Sequence, residues 1–155
     1  MPNKRFVEWG EFYGLSEKLF DKIPKGSLDM ILAIGRGGLV LGRLASDYFG
    51  KDLAVIMAKH YKKGVYESNN PWIHFGAISS TKPVEGRILL IDDLFDEGAT
   101  MKQLMIKMKK PDIKETKTAV LFVKPWSDIK PDYHVEETSD WIVFPYEKKE
   151  FEDKN

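Results

Sequence analysis

Short apolar runs alternate with amphipathic stretches along this chain. Met30–Ile34 (MILAI), Arg87–Ile91 (RILLI) and Thr118–Val123 (TAVLFV) are nearly continuous in apolar residues, as strands covered on both faces are, and Leu53–Ala58 (LAVIMA) reads as a further strand. Between them the period changes to that of a helix. Phe12, Leu15, Leu19 and Ile23 predict a helix over Trp9–Ile23, closed by Pro24 and Gly26. Leu41, Leu44, Ala45 and Tyr48 predict a second over Leu39–Phe49, with Gly50 at its end. Met101, Leu104, Met105 and Met108 predict a third over Thr100–Lys110, ended by Pro111. Trp72–Ile78 alternates like a half-exposed strand, and Tyr133–Val135 and Trp141–Phe144 read as short strands. Lys59–Pro71 (KHYKKGVYESNNP) has no period and reads as a surface loop or an irregular hairpin. The expected fold class is α/β, a mainly parallel sheet flanked by helices. The expected organisation is one domain over 1–155, with a charged, frayed tail over 147–155.

Composition narrows the function classes. The chain has 155 residues, with 24 basic and 24 acidic side chains and a formal net charge of zero. That argues against a basic coat for nucleic acid. Absence of cysteine excludes disulfides, thiolate metal sites and a cysteine nucleophile. No apolar run approaches the roughly 18 residues of a membrane span, and Met1–Phe6 lacks the apolar core of a signal peptide. A soluble cytoplasmic protein is expected, with no nucleic-acid or membrane partner. His60 and His74 stand alone, without metal-site spacing.

Chemistry concentrates in Ile88–Thr100, ILLIDDLFDEGAT. An apolar strand ends in Asp92 and Asp93. Asp96 and Glu97 follow, then Gly98-Ala99-Thr100 and a helix. Ligands of parallel sheets bind beyond the carboxyl ends of the strands. A turn that opens a helix presents N–H groups to phosphate, and the Thr100 hydroxyl adds a bond. Adjacent carboxylates suit vicinal hydroxyls or a hard cation such as magnesium. A sugar phosphate satisfies both halves. A second feature, Gly35-Arg36-Gly37-Gly38, directly follows the first buried strand. Glycines there permit close approach, and an arginine grips phosphate with two prongs.

Ile88–Thr100 resembles the PRPP-binding motif of type I phosphoribosyltransferases: four apolar residues, two acids, two mostly apolar residues, then Asp-Thr-Gly-x-Thr. Glu97 departs, standing where the family usually has threonine. Arg36-Gly37-Gly38-Leu39-Val40 is similar to the pyrophosphate loop of the xanthine-guanine branch. Lys124-Pro125 resembles that branch's lysine for the 6-oxo group, and a lysine only donates. Trp141-Ile142-Val143-Phe144-Pro145-Tyr146 is similar to its purine pocket. The resemblance runs from about Trp9 to Tyr146.

It implies transfer of phosphoribose from PRPP to a 6-oxopurine (guanine, hypoxanthine or xanthine). Pyrophosphate is released and a nucleoside 5′-monophosphate such as GMP is formed, as in purine salvage. Under the resemblance Asp92 and Asp93 hold the ribose hydroxyls, with Asp93 near a magnesium cofactor. Asp96 is the proton acceptor, or hydrogen-bonds a ring nitrogen. Residues 96–100 (Asp96, Glu97, Gly98, Ala99, Thr100) bind the 5′-phosphate, and Arg36, Gly37 and Gly38 bind pyrophosphate. Lys124, Trp141 and Ile142 bind the base. The 59–71 loop stands where the family has a mobile flap, and the C-terminal segment contributes to a small hood. A homo-oligomer, dimer or tetramer, is implied, and Phe6, Trp9, Phe12 and Tyr13 are either interface or core. The alternative is a non-catalytic member of the fold that binds a nucleotide or PRPP for regulation, a reading that Glu97 favours. A pyrimidine or orotate enzyme fits Lys124 and Trp141 poorly. A response-regulator-like domain leaves the Arg36 loop and Gly98-Ala99-Thr100 unexplained.

Overall fold

The computed structural model describes residues 2–61 and 72–152. Its elements in order are β1 (Lys4–Phe6), α1 (Trp9–Asp21), β2 (Met30–Gly35), α2 (Leu39–Phe49) and β3 (Leu53–Tyr61). There follow β4 (Trp72–Ser79), β5 (Gly86–Phe95), α3 (Ala99–Lys107), β6 (Ile113–Val123), β7 (Tyr133–Glu137), β8 (Trp141–Val143), a 3₁₀ turn (Pro145–Glu147) and α4 (Lys148–Glu152). Six strands form the central sheet in the order β4-β3-β2-β5-β6-β7. Every pairing in it is parallel except β3 with β4. The fold is thus α/β with a mainly parallel sheet flanked by helices.

Three of the apolar runs, in β2, β5 and β6, become central strands because both of their faces are covered, whereas in β3 Met57 is exposed. All six residues of β2 are buried. Its side chains alternate between two cores. Ile31 and Ala33 pack with Phe12 and Leu19 of α1 and Leu41 of α2 on one face. Met30, Leu32 and Ile34 pack with Met101, Leu104 and Met108, the α3 stripe, on the other. Burying side chains such as Phe12 and Leu19 contributes about 1.5–3 kcal/mol each.

Several boundaries differ from the periodicity for identifiable reasons. α1 stops at Asp21, because Ile23 precedes Pro24 and is pushed out of the helical region. Its last turn tightens, with Lys22 N–H donating to the Leu19 carbonyl and Ile23 N–H to that of Phe20. β5 runs on through Asp92 and Asp93 to Phe95, because β6 supplies a pairing partner as far as Val123. β6 begins at Ile113, its polar first half paired along β5. β3 extends to Tyr61, so the expected 59–71 loop begins as strand and the remainder, 62–71, lies outside the described residues.

β1 has no counterpart in the sequence pattern. It pairs in parallel with β8, Lys4 opposite Trp141 and Phe6 opposite Val143. Arg5 secures it, its guanidinium 2.5 Å from both Glu136 and Glu11. Among the N-terminal aromatics Phe12 is fully buried, whereas Phe6, Trp9 and Tyr13 are exposed. No helix among the described residues is long and apolar enough to cross a membrane.

Candidate functional site

β2 continues through α2 to β3 on one side, and β5 continues through α3 to β6 on the other. The sheet order therefore reverses between β2 and β5, and a crevice opens beyond their carboxyl ends. Gly35-Arg36-Gly37-Gly38 leaves β2 at this point, and Asp92 and Asp93 stand near the end of β5. Arg36 is exposed and pairs with Glu150 of α4 at 3.1 Å. Gly38 N–H donates to the Ile34 carbonyl, and Gly38 caps α2. Gly37 has no room for a side chain: a Cβ there would lie 2.7 Å from both carboxylate oxygens of Asp93.

Asp93 is buried, with 7% of its surface exposed, and Asp92 is half-buried. The Asp92 carboxylate accepts the Asp93 N–H at 2.8 Å. Burial pushes the Asp92 carboxyl well above the usual range, and the neighbouring Asp93 charge adds to the rise. Burial also raises Asp93, a rise that the Tyr146 hydroxyl restrains by donating at 2.6 Å to Oδ2. That hydroxyl lies 3.2 Å from the Gly37 carbonyl as well. The Tyr146 phenol is pushed upward by burial and by Asp93, so it remains a donor.

Two adjacent carboxyls, Asp93 buried and Asp92 half-buried, with no cationic partner among the described residues, are the donor set that a hard cation neutralises. Among the described residues no group of three or more His, Asp or Glu is arranged to hold a metal by itself. Magnesium is such a cation, since it keeps waters and binds through one or two carboxylates plus substrate phosphates. Asp92 and Asp93 fit that role.

Beyond Phe95 the chain turns through Asp96 and Glu97 into α3. Gly98 has φ of +84°, a left-handed conformation that favours glycine. A Cβ there would also lie 2.8 Å from Ile129. The helical ladder begins with Lys102 N–H donating to the Gly98 carbonyl. This turn, with Asp92 and Ile34, lines a cavity of ≈ 380 Å³. Asp96 and Glu97 are exposed, and Ala99 and Thr100 are half-buried. The Glu97 carbonyl accepts the Asp128 N–H, which ties the turn to the segment after β6.

Lys124 directly follows β6, beside the end of β5, and is 7% exposed. Its ammonium donates to the Asp140 carbonyl. Burial pulls its pKa down, against the pull of the Asp96 and Asp140 carboxylates. Trp141 follows Asp140 and is half-exposed, edge-on to Phe151 at 6.2 Å. The Ile142 side chain is buried in the core, so only its backbone is available to a ligand there.

Two residues that sequence reasoning did not assign join this arrangement. Tyr146 reaches Asp93 from the C-terminal segment. Trp126 donates its indole N–H to Asp96 Oδ1 at 2.8 Å. Tyr146 was visible only as the aromatic that closes the Trp-Ile-x-x-Pro pattern. A lone tryptophan two residues past Lys124 carries no period to read.

Comparisons with known proteins place this geometry. A family model described as "Phosphoribosyl transferase domain" matches residues 11–149. The chain is similar to a purine phosphoribosyltransferase from Pyrococcus horikoshii, with 31% identity, 94% of each chain covered and a TM-score of 0.81. A Helicobacter pylori xanthine-guanine-hypoxanthine phosphoribosyltransferase is 22% identical over 98% of this chain and 99% of its own, with a TM-score of 0.81. A hypothetical protein from Neisseria gonorrhoeae with bound ppGpp is 18% identical, covering 99% and 94%, at 0.78. No curated protein matches the sequence.

Proposed function

The chain belongs to the phosphoribosyl transferase domain family, and on that premise we propose that it is a magnesium-dependent 6-oxopurine phosphoribosyltransferase. It transfers phosphoribose from PRPP to guanine, hypoxanthine or xanthine and releases pyrophosphate, a purine-salvage reaction of the cytoplasm. One observation carries the reading. The Asp92–Asp93 pair, the turn over 96–100 and the buried Lys124 converge at the carboxyl ends of adjacent strands β5 and β6. The purine enzyme from P. horikoshii supports it as a relative of similar length.

In this reading the C1′–oxygen bond to pyrophosphate breaks and a C1′–nitrogen bond to the purine forms. Asp96 takes the imidazole-ring proton, and pyrophosphate leaves with the bonding electrons. Residues 96–100 hold the 5′-phosphate through backbone N–H groups and Thr100. Asp92 and Asp93 accept hydrogen bonds from the ribose hydroxyls. Asp93 would help to hold magnesium, which would supply positive charge for the leaving group when bound. Arg36, Gly37 and Gly38 receive the pyrophosphate, and Arg36 exchanges Glu150 for it. Lys124 donates to the 6-oxo group and rejects a 6-amino purine, which offers it no acceptor. Trp141 stacks on the base, and the Ile142 backbone meets its edge.

A second reading is a nucleotide-binding regulator without turnover. Glu97 in the phosphate turn favours it, since a carboxylate repels phosphate if it turns inward. The side chain is exposed, which suits the first reading. The fold of the N. gonorrhoeae protein, solved with ppGpp, accommodates a guanine nucleotide.

Pyrophosphate release from PRPP and magnesium, with guanine, hypoxanthine, xanthine, adenine, uracil and orotate in turn, tests both. Turnover with 6-oxopurines that falls on Asp96→Asn and Trp141→Ala is expected. Binding of a nucleoside monophosphate without turnover on any base selects the regulator.

A further inference from the structure

Trp126 exposes about half its surface (53%) on the rim of the site. An open indole gains little from packing, so its placement calls for another reason. Its one polar atom, Nε1–H, is spent on Asp96 Oδ1 at 2.8 Å. The Lys124 ammonium lies over the ring, 5.5 Å from its centroid.

The backbone sets this geometry. Lys124 N–H donates to the Phe95 carbonyl, and Asp128 N–H donates to that of Glu97. The segment carrying Trp126 is thereby tied to the turn carrying Asp96 on both sides of the contact. Within the segment, Ser127 N–H donates to the Lys124 carbonyl and the Ser127 hydroxyl to that of Ile129. The indole therefore meets an acid whose own backbone is fixed to its own.

An exposed aspartate on a turn has several accessible rotamers, and a proton acceptor must present one oxygen in one direction. An indole N–H only donates, so it takes no proton from a substrate. With Oδ1 engaged, Oδ2 carries no hydrogen bond among the described residues. We propose that Trp126 is a positioning residue that holds Asp96 by Oδ1 so that Oδ2 faces the imidazole edge of the bound purine. This rests on the reading of Asp96 as proton acceptor.

The full-length chain carries the test, as wild type, Trp126→Phe, Asp96→Asn and the double variant. Phenylalanine keeps a six-membered ring for packing or stacking and removes the donor together with the pyrrole ring. With PRPP, magnesium and guanine, Trp126→Phe is expected to lower kcat on the order of tenfold, a part of the 10²–10⁴ that a general base supplies. KM for guanine and Kd for GMP are expected to stay within about twofold, because neither reads the proton transfer. In the Asp96→Asn background the same change is expected to cost nothing further, since the two residues act as one unit. In ¹⁵N-labelled protein the Trp126 indole N–H resonance is expected to move on Asp96→Asn, a readout independent of activity. An unchanged kcat, an equal loss in the Asp96→Asn background, a loss confined to KM for the base, or an unmoved indole resonance overturns the proposal. The KM outcome would make Trp126 a stacking surface instead. A wild type inactive on every base is a different failure: it refutes the proposed reaction itself, and the positioning role falls with it.

Discussion

Replacing Tyr146 by phenylalanine deletes one oxygen and leaves the ring. The ring stacks on Phe144 at 5.5 Å and 5°, and meets Phe12 edge-on at 5.7 Å, contacts that phenylalanine reproduces. What is lost is the 2.6 Å bond to Asp93 Oδ2, short as bonds to an ionised oxygen are. Asp93 is 7% exposed, so water is poorly placed to substitute. A hydrogen bond to a charged group contributes about 1.5–3 kcal/mol. For a domain of this size each kcal/mol moves Tm by about 2–4 °C, so a fall of roughly 3–12 °C is expected near neutral pH. Its pH dependence identifies the cause. Burial already holds the Asp93 carboxyl above its ordinary value, and the tyrosine restrains that rise. Without the hydroxyl the folded value climbs further, so the variant's deficit is largest where wild-type Asp93 is ionised. It shrinks as pH falls and Asp93 is protonated in both proteins. Asp92 and Glu147, also raised by burial, titrate in both chains, so the difference between chains at one pH largely removes them. Calorimetry of both proteins at about pH 8 and through a descending pH series measures the deficit. An unchanged Tm at the highest pH, or an equal fall throughout the series, refutes the reasoning. Under the proposed function, the magnesium needed for half-maximal rate also rises, on the order of tenfold.

Asp92→Asn retains an acceptor for the Asp93 N–H and removes one of two adjoining ionisable carboxyls. The metal-free variant should melt above wild type while kcat/KM for PRPP falls by at least about 100-fold, by thermal denaturation and pyrophosphate release. In the metal-free wild type, the raised Asp92, Asp93 and Glu147 give stability that is full below their ordinary values and lost as pH rises through the folded ones. Asp29, held low by Arg87, acts oppositely: its contribution is present above its ordinary value and disappears only in stronger acid. Melting should therefore be higher in mild acid than in mild alkali, and saturating magnesium with PRPP should narrow the gap, as a calorimetric pH series would show. Gly37→Ala drives a methyl to 2.7 Å from the Asp93 oxygens. Overpacking of this kind costs about 1–3 kcal/mol, and a lower denaturation midpoint with weakened PRPP binding is the expected result.

The central strands and the diacid turn were legible in the sequence because both are local. A strand buried on both faces must be apolar throughout, so MILAI, RILLI and TAVLFV declare themselves. The Asp92–Thr100 turn places its acids and Gly98 within nine consecutive residues. Other features depend on partners far away in the chain. β1 is three residues of mixed polarity, and only β8, more than 130 positions later, makes it a strand. Pairing with β6 carried β5 past the acids to Phe95, although its apolar run ends at Ile91. The contacts of Tyr146 with Asp93, across 53 positions, and of Trp126 with Asp96, across 30, leave no periodic trace. Periodicity records which face of an element is buried. Which side chains meet at the sheet end follows from strand order and crossover, and these are set by how the whole chain packs.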